Sequence, residues 1–418
     1  MLVEAHQHVA SKVAAGLSHL PGTGTAFAAT QAAWRFFNNP RVTLTALAQP
    51  LQSAGRQALN DDTQPCALLV HDWSKIDYAT HTAKTDLAQL THAHDRGYEL
   101  ATALLVSAAD GSPLAPMELE LTTGDAVHST RPRATRRNTD HLDQLLPRMR
   151  AAGRWDLGRP LVHVVDREAD SVGHYRAWQK AGFRFLVRAD DRLVRWDGTE
   201  CRASAVADAL SAQQAFRASG DVLYHGRAAH QQVAEAAVVL DRPAKHREPS
   251  GRQREFRGAP VALRLVVVRL RDDAGTLLAE WLLLTNAPAE WGAAESVALW
   301  YYWRWRIESY HKLLKSHGQE MEHWQQESGA GIARRLLVAA MACVVVWGLE
   351  RATGEEACEL KEVVTRLSGR QMRTGCSTTA PALLAGLHVL LSMLDLLEQY
   401  DLKQLRRLVQ NVLPTRSG

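Results

Sequence analysis

Short apolar runs separated by polar turns fill the middle of the chain, and long helical periodicities dominate its last third. Residues 1–60 read as helical, with a turn at Pro21-Gly22-Thr23-Gly24. The segment AAWRFFNNP (32–40) places Trp34, Phe36 and Phe37 at the end of a helix that Asn39-Pro40 breaks. ALLVHDW (67–73) is a short apolar strand. GYELATALLVSAADGSPLAPMELEL (97–121) reads as two long strands joined by a turn around Asp110-Gly111-Ser112-Pro113. Residues 139–151 read as a helix capped by Thr139 or Asp140. LVHVVD (161–166) is a buried strand, a helix follows to position 181, and FRFLVR (183–188) is another strand. VALRLVVVRL (261–270) and LLAEWLLLTN (277–286), with Asp272-Asp273-Ala274-Gly275 between them, read as a hairpin. From 291 onward helices prevail, with amphipathic stretches at Leu383–Leu397 and Leu402–Leu413. Three antiparallel strands followed by helix–strand units predict a mixed α/β layer.

Composition narrows this picture. A chain of 418 residues, 46% hydrophobic and 22% charged, is long enough for several structural units around a large core. The net charge of +4 suits a nucleic-acid partner without requiring one. Five scattered cysteines, with no CxxC pair, argue against a disulfide framework or a zinc site and for a reducing cytoplasm. The start MLVEAHQHVASK lacks the apolar core of a signal peptide. The apolar run Leu336–Leu349 falls short of the roughly 20 residues of a membrane span, so it reads as a buried helix.

Candidate chemistry concentrates in YYWRWRIESYHKLLK (301–315). Tyr301, Arg304, Glu308 and Lys315 recur at offsets that share one face of a continuous α-helix. Phosphoryl transfer on hard cations needs several carboxylates converging from separate elements. Three are well placed: Asp72 after ALLVH, Asp166 after LVHVV, and Glu308 on the helix. Each also has a plain structural reading. Asp72 could end a strand, with Asp77 as its nearest rival. Asp166 could cap the next helix. Glu308 could pair with Lys312 one turn on. Two basic loops, RPRATRR (131–137) and RPAKHREPSGRQREFR (242–257), are either phosphate contacts or solvated loops.

The spacing Tyr-x2-Arg-x3-Glu-x6-Lys, the run RWRIE (304–308), His311-Lys312 and the segment DREAD (166–170) resemble the transposases of bacterial insertion-sequence family four. The resemblance covers roughly 30–350. It implies a ribonuclease-H-like α/β mixed-sheet core at 67–190 and 291–350. A β-rich insertion would occupy 191–290, a helical DNA-binding region 1–66 and a helical dimerisation region 351–418. It implies a DDE transposase working by cut and paste on double-stranded DNA. Asp72, Asp166 and Glu308 would be catalytic metal ligands holding two Mg²⁺ ions, with Mn²⁺ able to substitute. Asp72 matches by strand context and spacing only, since its flanks (HDWSK) differ.

Other roles follow from the same resemblance. Trp281 would stack on a base flipped out of the duplex, against the plainer reading of a tryptophan packed in a hairpin. Arg188 would meet the strand end. Arg304 and Lys315 would bind phosphate oxygens, Tyr301 would hydrogen-bond a phosphate beside them, and Lys312 and His311 stand behind these as further DNA contacts. Partners would be terminal inverted repeats, target DNA and a second copy of the chain, in the bacterial cytoplasm at the nucleoid, with no membrane. Family members carry an additional basic helical segment ahead of the equivalent of AAWRFFNNP. Three accounts of the short start are open: a start codon set too late, a different way of binding ends, or a short inhibitory form. Two other function classes also stay open: a non-catalytic DNA-binding regulator and a cellular nuclease.

Overall fold

The computed structural model describes residues 26–60, 62–132, 134, 141–247, 253–316, 318–370 and 378–412. Two helices, α1 (Ala26–Asn38) and α2 (Leu44–Asn60), come first. The core strands follow: β1 (Ala67–Asp77), β2 (Ala88–Gln89), β3 (Arg96–Val106), β4 (Pro113–Thr122) and β5 (Val127–Ser129). Next come α3 (Leu145–Ala152), β6 (Leu161–Val165), α4 (Val172–Lys180) and β7 (Arg184–Ala189). Segment 191–290 holds β8 (Leu193–Trp196), β9 (Thr199–Arg202), α5 (Ala203–Ala212), β10 (Arg217–Tyr224) and β11 (Arg227–Leu240). It continues through β12 (Ala244–Arg247), β13 (Gln253–Phe256), β14 (Val261–Arg271) and β15 (Leu277–Thr285). The rest is helical: α6 (Ala294–Tyr302), α7 (Trp305–Leu314), α8 (Gly329–Arg351), α9 (Glu355–Leu367), α10 (Ala380–Gln399) and α11 (Leu402–Val412).

Thirteen of the described strands form one sheet in the order β5-β4-β3-β1-β6-β7-β15-β14-β11-β8-β9, with β2 on β3 and β10 on β11. The pairs β1/β6 and β6/β7 are parallel and the others antiparallel. The β-rich segment is therefore continuous with the core sheet, because β15 pairs with β7. Only the hairpin β12–β13 stands apart. The predicted turns and caps at 21–24 and 139–140 lie outside the described residues. A 3₁₀ turn at His141–Gln144 leads into α3.

Central strands are buried on both faces, which is why β1 opens as an unbroken apolar run. Side chains alternate along each strand, so parity decides which layer a residue joins. Leu68, Val70, Val162, Val164 and Leu186 face α6, α7 and α8, in a core that includes Trp300, Ile307 and Leu336. Ala67 and Leu69 face the opposite way, toward Ala152 and Trp155. The apolar run Leu336–Leu349 lies within α8, a helix of 23 residues capped by the Ser328 hydroxyl. By length and composition α8 and Ala380–Glu398 of α10 could each cross a membrane; 67% of the apolar window of α8 is buried inside the protein, against 22% for α10.

The back face carries buried polar groups. Arg148 of α3 pairs with Glu118 at 3.3 Å and Glu120 at 2.7 Å, and Arg131, which opens the first basic loop, reaches Glu120 at 2.9 Å. His71 and His163 share a hydrogen bond of 2.9 Å behind the parallel strands. Burial holds the His71 imidazole well below its ordinary value, with His163 and Arg148 adding to the effect, and pushes His163 down to about 3. Both stay neutral in the folded protein at neutral pH. A depressed histidine contributes stability above its unfolded value, and that stability is lost as pH falls below it toward the folded value. The protein should therefore lose stability between pH 6.5 and 4. His163→Gln should remove about one proton's worth of that slope in urea denaturation at several pH values. An unchanged slope would contradict this account.

Candidate functional site

Register brings the predicted carboxylates together. Ala67 to Val70 of β1 pair in parallel with Leu161 to Val164 of β6. Two residues beyond the last pair stand Asp72 and Asp166, level with each other and with the parity of Val70 and Val164. Asp166 keeps extended backbone (φ −79, ψ −171), so the alternation carries through to it. Val165 pairs with Val187, which sets Arg188 level with Asp166 on the same face. Across β1, Asp72 pairs with Thr102 of β3. Thr102, Asp72, Asp166 and Arg188 thus form a row across four strands, and α6 and α7 lie over it. Asp77 is set aside by the same geometry. It lies on the other face, roughly 16 Å farther along β1, with its carboxylate accepting the Ala79 amide.

The helix over the row is broken, contrary to the continuous stripe predicted from 301–315. α6 ends at Tyr302 and α7 starts at Trp305. The amides of Arg304, Arg306 and Ile307 each bond three residues back instead of four, a tightened step that alters the angular spacing. Tyr301, Arg304 and Glu308 still converge. Lys315 does not: it sits past the end of α7, donates to the Lys75 carbonyl and pairs with Glu322 at 3.5 Å.

Arg304 is the centre of the charge arrangement. Its Nη2 meets Glu308 Oε1 at 2.7 Å and its Nη1 lies 3.6 Å from Asp72 Oδ2. Glu308 therefore pairs with Arg304, one turn before it, rather than with Lys312. Burial pulls the guanidinium down, yet Tyr301, Asp72, Glu308 and Asp166 together hold it above its ordinary value. Burial pushes the Asp72 carboxyl up to about 6; Arg304 and the Trp73 amide oppose this, and Asp166 and Glu308 add to it. Asp166 Oδ1 accepts the Glu168 amide at 3.0 Å, so it caps the 3₁₀ turn Arg167–Ala169 rather than α4, which Ser171 precedes, and this occupies one carboxylate oxygen. Burial also raises the Tyr301 phenol, which feels both Arg304 and Arg188.

The remaining predicted contacts fall in different places. Arg188 is half-buried and has no carboxylate partner among the described residues. Trp281 is 3% exposed and meets the Tyr301 ring at 5.5 Å, with no face open for a base, because its parity on β15 matches core-facing Leu283. His311 is buried and bonded to Thr102 Oγ1 at 3.1 Å, too enclosed to touch DNA; burial, with Lys315 and Arg304, takes it down to about 3. Lys312 is exposed but borders a separate cleft with Arg306, Ser309 and Arg370. Of the two basic loops, 133, 135–137 and 248–252 lie outside the described residues.

Sequence reasoning missed an aromatic cleft of about 440 Å³ lined by Tyr224, His225, Tyr302, Trp303, Trp305 and Arg306, among others. Trp305 is 42% exposed, and the Arg304 guanidinium lies 5.7 Å from its ring. The aromatic letters around Arg304 were visible, but which of them reach solvent depends on the helix break.

The donor set is three carboxylates, the hard oxygen ligands that Mg²⁺ and Mn²⁺ favour. Among the described residues no three His, Cys, Asp or Glu side chains stand close enough together to hold an ion. The donors fit by chemistry, and Arg304 takes up two of them in this arrangement. The Arg304 Nε is buried without a hydrogen-bond partner among the described residues.

The sequence matches the transposase DDE domain family over residues 72–345, more than half of the chain, and the protein belongs to that family. Members of this family generally use divalent metal ions. Among solved structures the chain is similar to a piggyBac transposase synaptic complex with hairpin DNA. Identity there is 8% and the TM-score 0.34, with 84% of this chain and 58% of that one covered, so the protein spans less than two thirds of that chain. No curated protein matches the sequence.

Removing the central cation should expose the mutual repulsion of the carboxylates. Arg304→Met is expected to cost roughly 1–3 kcal/mol at pH 8 without added metal, as an uncompensated cluster remains. At pH 5 Asp72 takes up a proton and the loss should shrink. Urea denaturation at both values checks this, and equal losses would contradict it.

Proposed function

We propose that this chain is the transposase of a bacterial insertion sequence of family four, moving DNA by cut and paste in the cytoplasm. The observation that carries this reading is the shared face of Asp72, Asp166 and Glu308 above two adjacent parallel strands. The order β4-β3-β1-β6-β7 supports a ribonuclease-H-like core over 67–190 and 291–350. Segment 191–290 extends its sheet as the β-rich insertion, and 1–66 contributes to binding DNA. The helices of 351–418 dimerise the protein on DNA; the exposure of Leu394, Leu397 and Leu408 supports this.

Asp72, Asp166 and Glu308 hold the metal. Bound divalent cations, two Mg²⁺ ions or Mn²⁺ in their place, supply positive charge at the scissile phosphate and an acidified water. Arg304 exchanges its carboxylates for a phosphate oxygen, using its planar fork and free Nε–H. Tyr301 stays protonated and donates a hydrogen bond beside it. Arg188 meets the strand end. His311, neutral, anchors α7 to the sheet through Thr102. Water first hydrolyses one phosphodiester at the end and frees a 3′-hydroxyl. That hydroxyl attacks the opposite strand, displacing the strand beyond the cut and closing a hairpin. Water hydrolyses the hairpin bond, and the regenerated 3′-hydroxyl attacks a target phosphodiester, displacing the target's own 3′-oxygen. Trp305 offers an extruded base the aromatic face that buried Trp281 lacks. Positioning and electrostatics supply most of the acceleration.

The test is cleavage of DNA carrying the gene's own flanking ends, with Mg²⁺. Wild type should break both strands at the ends through a transient hairpin. Glu308→Ala should lose on the order of 10²–10³-fold or more in rate. Binding without cutting by both proteins would favour a regulator. Cutting without regard to the ends would favour a nuclease.

A further inference from the structure

We propose that the turn Asp110-Gly111-Ser112, at the tip of the β3–β4 hairpin, is the positioning element of the site. It seats the break between α6 and α7 and thereby sets how Arg304 and Glu308 approach Asp72. The proposal rests on reading the three carboxylates as the cleavage site.

Three side chains around the break bear on this turn. Trp300 Nε1 donates to the Ala108 carbonyl at 3.3 Å, and Arg306 Nε donates to the Gly111 carbonyl at 3.0 Å. The Trp303 indole lies flush against Gly111: a Cβ added there would stand 2.3 Å from the indole Cγ and Cδ1. Gly111 has φ +72, in the left-handed region, so glycine is needed for backbone and neighbour alike.

The turn is itself held firmly. The Gly111 amide bonds to the Ser107 carbonyl at 3.1 Å, and Asp110 accepts the Ser112 amide at 2.9 Å and its hydroxyl at 2.8 Å. Arg351 of α8 donates to the Pro113 carbonyl at 2.5 Å. A fixed turn thus meets the helix pair where its own hydrogen bonding is tightened to three-residue spacing. That step is where outside contacts decide the angle between the two helices. Arg304 follows Trp303 directly, so a push on the indole is passed to the guanidinium between Asp72 and Glu308.

The test uses the full chain. Gly111→Ala should slow cleavage of the gene's flanking ends on the order of ten- to a hundredfold, the scale of a small misplacement, with unchanged affinity for those ends. Amide exchange over 303–308 should rise while that of β1 and β6 does not. Adding Trp303→Ala should recover part of both readouts, because it removes the indole the new methyl strikes while the Trp300 and Arg306 bonds to the hairpin tip remain. The left-handed strain persists in the double variant, so recovery separates the push from the strain. Wild-type rate and exchange in Gly111→Ala, or a loss that Trp303→Ala leaves in place, would overturn the proposal. If wild type itself does not cut, the cleavage reading fails, and amide exchange alone still decides the positioning in the same directions.

Discussion

Four residue pairs, Ala67 with Leu161 through Val70 with Val164, hold β1 beside β6, and the site depends on that register. A slip of one residue in either strand would turn its aspartate to the back face, beside the buried His71–His163 pair. Apolar burial on both faces enforces the register, since Leu68, Val70, Val162 and Val164 must all meet the helical layer together. Core packing and the placement of catalytic candidates are therefore one constraint. The same levels extend outward to Thr102 and Arg188, so the helix pair above spans a row of polar positions along an otherwise apolar face.

Electrostatics at that row are balanced rather than relaxed. One carboxylate lies on β1, a second just past the end of β6 and a third on a helix, and one buried guanidinium stands between two of them. Burial, with Asp166 and Glu308 adding to it, pushes Asp72 up to about 6 despite that cation. A group in that state gains from a divalent cation more than an exposed carboxylate does, because the cation stabilises the charge that burial disfavours. Arg304 meanwhile has carboxylates to give up and a free Nε–H to offer. In the proposed reading, these internal ion pairs are exchanged for contacts with metal and phosphate.

Much of this was legible in the chain itself. Alternating and continuous apolar runs marked β1, β3, β4, β6, β7, β14 and β15, and the Asp–Asp–Glu order marked the candidate centre. What failed was anything that depended on the path of the helix over the sheet. The offsets of Tyr301, Arg304, Glu308 and Lys315 assumed 3.6 residues per turn throughout, and the tight step at Trp303–Arg304 violates that. Lys315 consequently ends on the Lys75 carbonyl. Burial of Trp281 and His311 is also a tertiary fact: both are polar-capable rings whose exposure only the packing of α6 and α7 decides. The continuity of β15 with β7 joins segments about a hundred residues apart, which no local pattern encodes.

The central claim is that Asp72, Asp166 and Glu308 form one site for a hard cation. Mn²⁺ binding, followed by electron paramagnetic resonance on wild type and on Asp72→Asn, Asp166→Asn, Glu308→Gln and Asp77→Asn, tests it most directly. The account predicts weakened binding in the first three variants and wild-type binding in Asp77→Asn. Retained binding in Asp166→Asn, or a loss confined to Asp77→Asn, would contradict it.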